Sequence, residues 1–289
     1  MEFSSQDLHH MLLDRPMRRV PQDTALEIWS NLWEALQHIH SCGTMHRDVH
    51  DGNVLVQHSA PVQSTLTIED IQSVKLADFG KATKVIGDKP VPLYTAETCP
   101  LRAMAPEVLF RHGTHWAPTG KRSATSQGLV STCLQHYVLV SAPKDCTYDG
   151  RIDNWASGIL FIHMLFGGPY NETGPKNFDA KEMIQTFGKV PRDLVNACSW
   201  SVPSEWIEDS GNASKSGYVP PRRFSMGAAT SLMEQERFDN ALACLRYNPR
   251  LRTSRVLPRV RPSTPPDNAQ LELELKAAFG RLASMTGQK

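Results

Sequence analysis

The segment His46-Arg47-Asp48-Val49-His50-Asp51-Gly52-Asn53 decides how the rest of this sequence is interpreted. It places an aspartate, whose carboxylate can accept a proton, five positions before an asparagine, whose amide oxygen can bind a metal ion. Two further motifs follow in order, Asp78-Phe79-Gly80 and Ala105-Pro106-Glu107. The first of these adds a carboxylate oxygen of the kind that Mg²⁺ prefers. Each short string recurs by chance, but three of them in this order and in fitting flanking sequence indicate one chemistry.

The composition is that of an ordinary globular chain, with 40% hydrophobic and 21% charged residues. A net charge of +1 argues against a broad nucleic-acid-binding surface, which needs a basic field. The longest apolar run, at residues 159–166, is far shorter than the roughly 20 residues that a membrane helix needs. The first residues lack the apolar segment of a signal peptide. We therefore expect a cytoplasmic or nuclear protein that binds neither nucleic acid nor membrane.

The pattern of apolar residues predicts a mostly helical fold. Helices are predicted at residues 24–41, 153–166, 227–247 and 267–285. The second of them is apolar nearly all round, which is typical of a helix buried in a core. Two short strands, at residues 54–56 and 74–76, predict a small β-ribbon. The polar residues 57–73 between them are longer than a tight hairpin loop, and we interpret them as a surface insertion.

Taken together, the motifs resemble those of the eukaryotic protein kinase catalytic domain. The opening Glu2-Phe3-Ser4-Ser5-Gln6-Asp7-Leu8 is similar to the hinge of the cyclin-dependent and mitogen-activated group of serine/threonine kinases. Tyr94-Thr95-Ala96-Glu97 is similar to the activation segment of that group. No Gly-x-Gly-x-x-Gly and no lysine-bearing strand precede the catalytic loop, so the resemblance implies a chain that starts at the hinge without the small N-terminal lobe.

The fold class expected from this resemblance is mainly α (α+β), a protein-kinase-like large lobe that is helical with a small β-ribbon. The kinase domain is expected over residues 1–262, from the hinge onward, and a C-terminal helix or tail over residues 263–289. Residues 111–143 are rich in Ser, Thr, Gly and His without sustained periodicity, and we expect an irregular insertion there. Whether this insertion and the missing lobe are real features or errors of gene prediction stays open.

The resemblance also implies ATP and Mg²⁺ as cofactors and assigns roles at the catalytic centre. Asp48 would be the base that deprotonates the substrate hydroxyl, and Asn53 and Asp78 would hold Mg²⁺. The residues that would contact the nucleotide are Glu2 and Ser4 through hinge backbone groups, Asp7 at the ribose and Leu55 as the floor under the adenine.

Further roles implied by the resemblance lie outside the catalytic centre. Arg47 would pair with a phosphate on Thr95 and so order the activation segment. Glu107 and Arg252 would form a buried ion pair that ties this segment to the helical lobe. Asp153 would hold the backbone of the catalytic loop from below.

Two departures from the family pattern bear on activity. The family lysine two positions after the catalytic aspartate is His50 here, and a histidine is mostly uncharged at neutral pH. The family threonine before Ala-Pro-Glu is replaced by Pro100, which has no hydroxyl.

The function implied is an ATP-dependent serine/threonine kinase with protein substrates and a cyclin-like regulatory partner, weakly active or inactive as this chain alone. Two alternatives stay open. One is a pseudokinase-like binding module, and the other is a small-molecule phosphotransferase, because Asp48-x-His50-x-x-Asn53 is similar to the loop of aminoglycoside kinases.

Overall fold

The fold is given by a computed structural model of the chain. It describes residues 4–15, 18–60, 64–84, 94–95, 103–110, 115–118, 137–141, 145–146, 148–166, 184, 187–208 and 232–252. All of these residues lie in the first of two compact units, Met1–Val256. The predicted helix at residues 267–285 and the predicted hinge residue Glu2 lie outside the described residues.

Two long helices pack against each other at the centre of the described structure. Helix α2, Gln22–Ser41, follows strand β1, Ser4–Asp7, and helix α1, Leu8–Leu13. Helix α4, Arg151–Phe166, is buried along nearly its whole length, as its continuous apolar sequence predicts. Trp29 of α2 stacks on Trp33, with ring centroids 5.4 Å apart, and also contacts Phe161 of α4. These aromatic contacts form the middle of the core.

A three-stranded antiparallel sheet stands beside this helix pair. The two strands that the sequence predicts become β3, Val54–His58, and β4, Ile71–Leu76, after the two-residue strand β2, Thr44–Met45. Strand β1 adds a third strand on the free side of β3, with Asp7 opposite Leu55. The predicted two-stranded ribbon is therefore too small, because the pairing of β1 depends on residues about 50 positions away in the chain.

The interpretation of residues 57–73 as a surface insertion is wrong. The strands extend into this range from both ends, and the connection between them carries the fully buried side chain of Leu66. The hydroxyl of Thr24 in α2 donates to the carbonyl of Leu66 at 3.1 Å, and the Arg15 guanidinium donates to the carbonyl of Ser64 at 3.0 Å. The connection is thus anchored to α2 through Leu66, while its residues Thr65, Thr67 and Glu69 are exposed.

The prediction of an irregular excursion at residues 111–143 is also wrong for part of that range. Three short elements come before it, namely strand β5 at Thr83–Lys84, strand β6 at Tyr94–Thr95 and helix α3 at Pro106–Leu109. Within the range, β7, His115–Pro118, pairs antiparallel with β8, Tyr137–Ser141. The valines of β8 favour a strand, but its partner is too distant in the chain for local periodicity to reveal the pair.

The described C-terminal part is helical, with one small strand pair. Strand β9 is Asp145–Cys146, β10 is Val190–Pro191, helix α5 is Arg192–Cys198, β11 is Ile207–Glu208 and helix α6 is Leu232–Ala243. Phe238 of α6 packs edge-on against Phe161 of α4. The helix predicted at residues 227–247 therefore ends at Ala243, and residues 209–231 are outside the described part. Within the described ranges, no helix combines the length and hydropathy of a membrane span.

Candidate functional site

The catalytic loop is held in place from below by a carboxylate of α4. Asp153, in the first turn of that helix, is almost completely buried. Its Oδ2 accepts a hydrogen bond from the backbone N–H of His46 at 2.8 Å, and its Oδ1 accepts one from Arg47 N–H, also at 2.8 Å. His40 of α2 adds a third contact at 2.8 Å. Asp153 thus fixes two consecutive peptide groups, including that of Arg47, which has a left-handed φ of 68°.

His46 connects the catalytic loop to the segment that carries Asp78. Its Nδ1 accepts a hydrogen bond from the backbone N–H of Asp48 at 3.3 Å, so the ring proton lies on Nε2, which donates to the Ala77 carbonyl at 2.9 Å. Phe79 packs edge-on against the ring, with centroids 4.8 Å apart. Burial lowers the pKa of His46 below its usual value, against opposing charges such as that of Asp153. The neutral ring is therefore the form that fits both contacts.

Asp48 is buried, and its two carboxylate oxygens have different surroundings. Its Oδ2 forms an ion pair with Nζ of Lys81 at 3.0 Å. Its Oδ1 is buried and has no hydrogen-bond partner among the described residues. The Nε2 of His50 lies 3.8 Å from Oδ1, which is beyond hydrogen-bond distance. A buried acceptor without a donor is what a base needs before a substrate hydroxyl arrives.

Asn53 and Asp78 are brought next to Asp48 by backbone and side-chain contacts. The amide nitrogen of Asn53 donates to the carbonyl of Asp48 at 2.9 Å, and the backbone N–H of Ala77 donates to the carbonyl of Asn53 at 2.8 Å. Asp78 follows directly with a left-handed φ of 58°, and its Oδ1 accepts from Gly80 N–H at 3.0 Å. The three residues that the sequence selects are thus neighbours at one place in the fold.

The donor set of Asn53 and Asp78 fits a magnesium ion. One carboxylate and one amide oxygen are hard ligands, and Mg²⁺ in phosphoryl-transfer sites takes its remaining ligands from phosphates and water. The side-chain nitrogen of Asn53 donates to the Asp48 carbonyl, which fixes the orientation of the amide, and the amide oxygen takes no part in that hydrogen bond. Among the described residues, no group of three or more His, Cys, Asp and Glu side chains is placed to hold a metal ion. A cation here would therefore need phosphate and water oxygens to complete its coordination.

Three of the four predicted nucleotide-contacting residues, Ser4, Asp7 and Leu55, lie along β1 and β3, while Glu2 is outside the described residues. Ser4 pairs with His58, and Asp7 with Leu55, which is half-buried between the buried Val54 and Val56. Asp7 caps helix α1, since its carboxylate accepts from the backbone N–H of His10 at 2.8 Å and contacts the His10 ring. Burial raises the pKa of Asp7, but the hydrogen bonds and charge of His10 outweigh this, and the pKa is lowered. Asp7 is therefore an ionised cap as well as a candidate ribose contact.

The predicted phosphate-binding residue Arg47 is engaged within the catalytic site. Its Nε donates to the carbonyl of Lys81 at 2.6 Å and its Nη1 to the hydroxyl of Tyr148 at 3.2 Å. Thr95 lies in β6, which pairs antiparallel with β9, where Thr95 is opposite Asp145. The role of Arg47 toward Thr95 stays a prediction.

The ion pair between Glu107 and Arg252 is present in the structure. The guanidinium donates to both carboxylate oxygens, at 2.6 and 2.7 Å, and the two side chains are 11% and 0% exposed. Arg252 also donates to the carbonyl of Arg151 at 2.9 Å and lies over the ring of Trp155 at 5.1 Å. This arrangement joins α3, the start of α4 and the segment after α6.

Several residues of the site were missed by sequence reasoning. They are Lys81 beside Asp48, His40 beside Asp153, Tyr148 beside Arg47, and the histidines His9 and His163 beside the buried Asp51. Lys81 alone had a local signal, because it directly follows Asp78-Phe79-Gly80. The others approach from distant parts of the chain, so no motif indicates them.

Comparison with known proteins agrees with these motifs. Residues 1–135 match the protein kinase domain family. The chain is 32% identical over 115 residues to the sporulation protein kinase mde3 of Schizosaccharomyces pombe, which is 40% of this chain and 19% of that kinase. It is 31% identical over 123 residues to the meiosis induction protein kinase IME2/SME1 of Saccharomyces cerevisiae, covering 41% of this chain and 19% of the relative.

A longer but weaker match is the mitogen-activated protein kinase HOG1 of Zygosaccharomyces rouxii, 24% identical over 206 residues, covering 68% of this chain and 34% of that kinase. The chain thus spans between about a fifth and a third of the length of these relatives. The match over residues 1–135 and these relatives confirm the resemblance to protein kinases that the catalytic motifs indicated.

Proposed function

We propose that this chain is the large lobe of a serine/threonine protein kinase, which transfers the γ-phosphate of ATP to hydroxyl groups of proteins. The observation that carries the proposal is the state of Asp48. Its Oδ1 is buried without a hydrogen-bond partner among the described residues, beside Asn53 and Asp78. A general base must have an acceptor atom that no other donor occupies, and this oxygen meets that requirement among the described residues.

The roles of the residues follow from their chemistry. Asp48 Oδ1 takes the proton of the substrate hydroxyl while the hydroxyl oxygen of the substrate forms a bond to the γ-phosphorus. The bond from phosphorus to the bridging oxygen breaks, and its electron pair leaves with ADP. Asn53 and Asp78 hold Mg²⁺, which when bound neutralises charge on the phosphates. Glu2, Ser4, Asp7 and Leu55 contact the nucleotide, Arg47 binds a phosphate on Thr95, and Asp153 positions the loop.

The second substrate in this proposal is a protein that presents a serine or threonine hydroxyl. A cyclin-like partner stays a prediction from the resemblance, and a cytoplasmic or nuclear location stays a prediction from the composition. We infer that these 289 residues alone transfer phosphate slowly, since the sequence contains no Gly-x-Gly-x-x-Gly to cover the phosphates. Positioning of the phosphates accounts for most of the catalysis in this class of reaction.

The test is a phosphoryl-transfer assay with γ-labelled ATP, Mg²⁺ and a mixed protein substrate. We expect slow transfer by the 289-residue chain and a rate lower by about 100-fold or more in Asp48→Asn, which removes the base. Asp193→Asn is the matched control, because Asp193 is an exposed carboxylate on α5 outside the site. Its rate should equal that of the wild-type chain.

A second experiment adds phosphate-positioning groups to these 289 residues. A fusion that places a kinase small lobe, with its glycine-rich loop and lysine, ahead of Met1 should transfer phosphate faster than the 289-residue chain. Absence of transfer by both proteins, together with retained nucleotide binding, would contradict the proposal and favour a binding module. If both proteins transfer phosphate and Asp48→Asn does not reduce the rate of either, the role given to Asp48 is contradicted.

A further inference from the structure

Lys81 is held by the two consecutive residues Arg47 and Asp48 of the catalytic loop. The Nε of Arg47 donates to the backbone carbonyl of Lys81 at 2.6 Å. The Nζ of Lys81 lies 3.0 Å from Oδ2 of Asp48. The lysine side chain is 46% exposed, while that of Asp48 is 8% exposed. The ammonium group therefore stands where solvent, or a bound substrate, meets the buried carboxylate.

The position of Lys81 is coupled to that of Asp78. Both belong to one short 3₁₀ turn, in which Asp78 is the capping residue and Lys81 the last helical residue. The Asp78 carboxylate accepts from Gly80 N–H, and the N–H of Ala82 closes the turn on the carbonyl of Phe79. A backbone arrangement that directs Asp78 toward a cation thus also directs Lys81 toward Asp48.

His50 occupies the sequence position at which the resembling kinases carry a lysine, and it is engaged differently. Its Nδ1 accepts a hydrogen bond from the backbone N–H of Gly52 at 3.1 Å, which requires that nitrogen without a proton. Its Nε2 is 3.8 Å from Oδ1 of Asp48. His50 therefore stabilises the local turn, and among the described residues Lys81 is the lysine paired with Asp48.

We propose that Lys81 supplies the positive charge that contacts the transferred phosphate, in place of the lysine that His50 replaces. This inference rests on the proposed function. By pairing with Oδ2 of Asp48, the lysine also keeps Oδ1 turned toward the substrate hydroxyl. Solvent screens the half-exposed Lys81, so its removal should cost less stability than the loss of a partner in a fully buried ion pair. A strong effect on rate without loss of stability separates the two roles.

The test compares Lys81→Met, Lys81→Arg and Lys189→Met in the full chain, where Lys189 is an exposed lysine outside the site. Transfer of labelled phosphate from magnesium-ATP is followed over hours, nucleotide binding is titrated, and the midpoint of urea unfolding is measured. We expect kcat to fall about tenfold or more in Lys81→Met, as for the loss of one stabilising group on transition-state charge. The unfolding midpoint should be unchanged, Lys81→Arg should retain more activity, and Lys189→Met should match the wild type.

The decisive experiment restores a positive charge at position 50 of the catalytic loop. Adding His50→Lys to Lys81→Met returns a cation to the position used by the resembling kinases, and we expect it to recover part of the lost rate. If the wild-type chain transfers phosphate and Lys81→Met transfers it at the same rate, this inference alone is overturned. It is also overturned if Lys81→Met lowers the rate and the added His50→Lys does not recover any of it. A wild-type chain that neither binds magnesium-ATP nor transfers phosphate overturns the proposed function, and this inference with it.

Discussion

At the scale of single residues, His46 shows how burial selects a protonation state that the site requires. The ring lies between the backbone of Asp48 and that of Ala77, and it uses one nitrogen as acceptor and the other as donor. Protonation would give both nitrogens hydrogens and turn the contact with the Asp48 N–H into a repulsion. His58, buried beside Arg15, has its pKa lowered by burial and then by the charge of that arginine.

We expect the stability of the protein to fall as the pH is lowered through the range in which free histidine titrates. The folded pKa of His46 lies below the usual value of 6.5, so near that pH the unfolded chain binds the proton that the folded chain excludes. The contribution of each such histidine to the free energy of unfolding is therefore fully present above about pH 6.5. It decreases as the pH falls toward the lower folded pKa, by at most about 1.4 kcal/mol per pH unit.

Urea unfolding at about pH 7.5, about pH 6.5 and about pH 5.5 measures this dependence. In His46→Asn the dependence should be weaker, because one titrating group is lost, whereas His38→Asn, which alters an exposed histidine, should keep it. An equal dependence in His46→Asn and the wild type would show that His46 does not carry this proton linkage.

At the scale of elements, the contact between α4 and the residues after α6 depends on the absence of a side chain at Gly158. A Cβ at this position would lie 2.8 Å from Cγ of Leu245 and 3.1 Å from Cβ of Cys244, both of which are buried. Burial also raises the pKa of the Cys244 thiol to about 12, so it packs as a small neutral group. The glycine thus lets the two segments approach closely.

We expect Gly158→Ala to destabilise the protein although alanine favours helices. The gain in helix propensity is about 1 kcal/mol, while overpacking of a buried contact costs about 1–3 kcal/mol. The free energy of unfolding measures the balance. In a Leu245→Ala background, which removes the clashing atoms, the same substitution should cost less or become stabilising. Equal effects in both backgrounds would rule out the steric explanation.

At the scale of the whole molecule, the pair of Glu107 and Arg252 connects segments that are 145 positions apart. The arginine is completely buried and donates to backbone carbonyls of Arg151 and Tyr247 as well as to the carboxylate. Its charge is therefore compensated chiefly by Glu107. Removing that carboxylate would leave a buried cation with dipoles alone around it.

We expect Glu107→Gln to lower the free energy of unfolding by about 3–5 kcal/mol, the usual cost of breaking a buried ion pair. Asp149→Asn is the control, since it removes the charge from an exposed pair with Arg151 but keeps a side-chain acceptor for the Arg151 N–H. That change should cost less than about 1 kcal/mol. Denaturant titration of both variants measures the difference, and similar small losses would mean that the pair is not important for stability.

Much of this architecture could be predicted because its causes are local. The apolar stripe of α2 and the continuous apolar run of α4 predict helices at nearly the observed residues. The excursion at residues 111–143 and the insertion at 57–73 were misinterpreted for a common reason. The pairing of β7 with β8 and the burial of Leu66 against α2 both depend on contacts between segments far apart in sequence.

The order and spacing of the motifs are contained in the sequence, including the predicted base Asp48 and the predicted ligands Asn53 and Asp78. Such motifs can be recognised directly because short spacings constrain the backbone. Which described cation contacts Asp48 depends instead on the tertiary structure. His50 is two residues away, yet its ring serves the turn at Gly52, whereas Lys81 arrives from the next segment at 3.0 Å. Side-chain direction and the packing of separate segments set that outcome, and neither is contained in spacing along the chain.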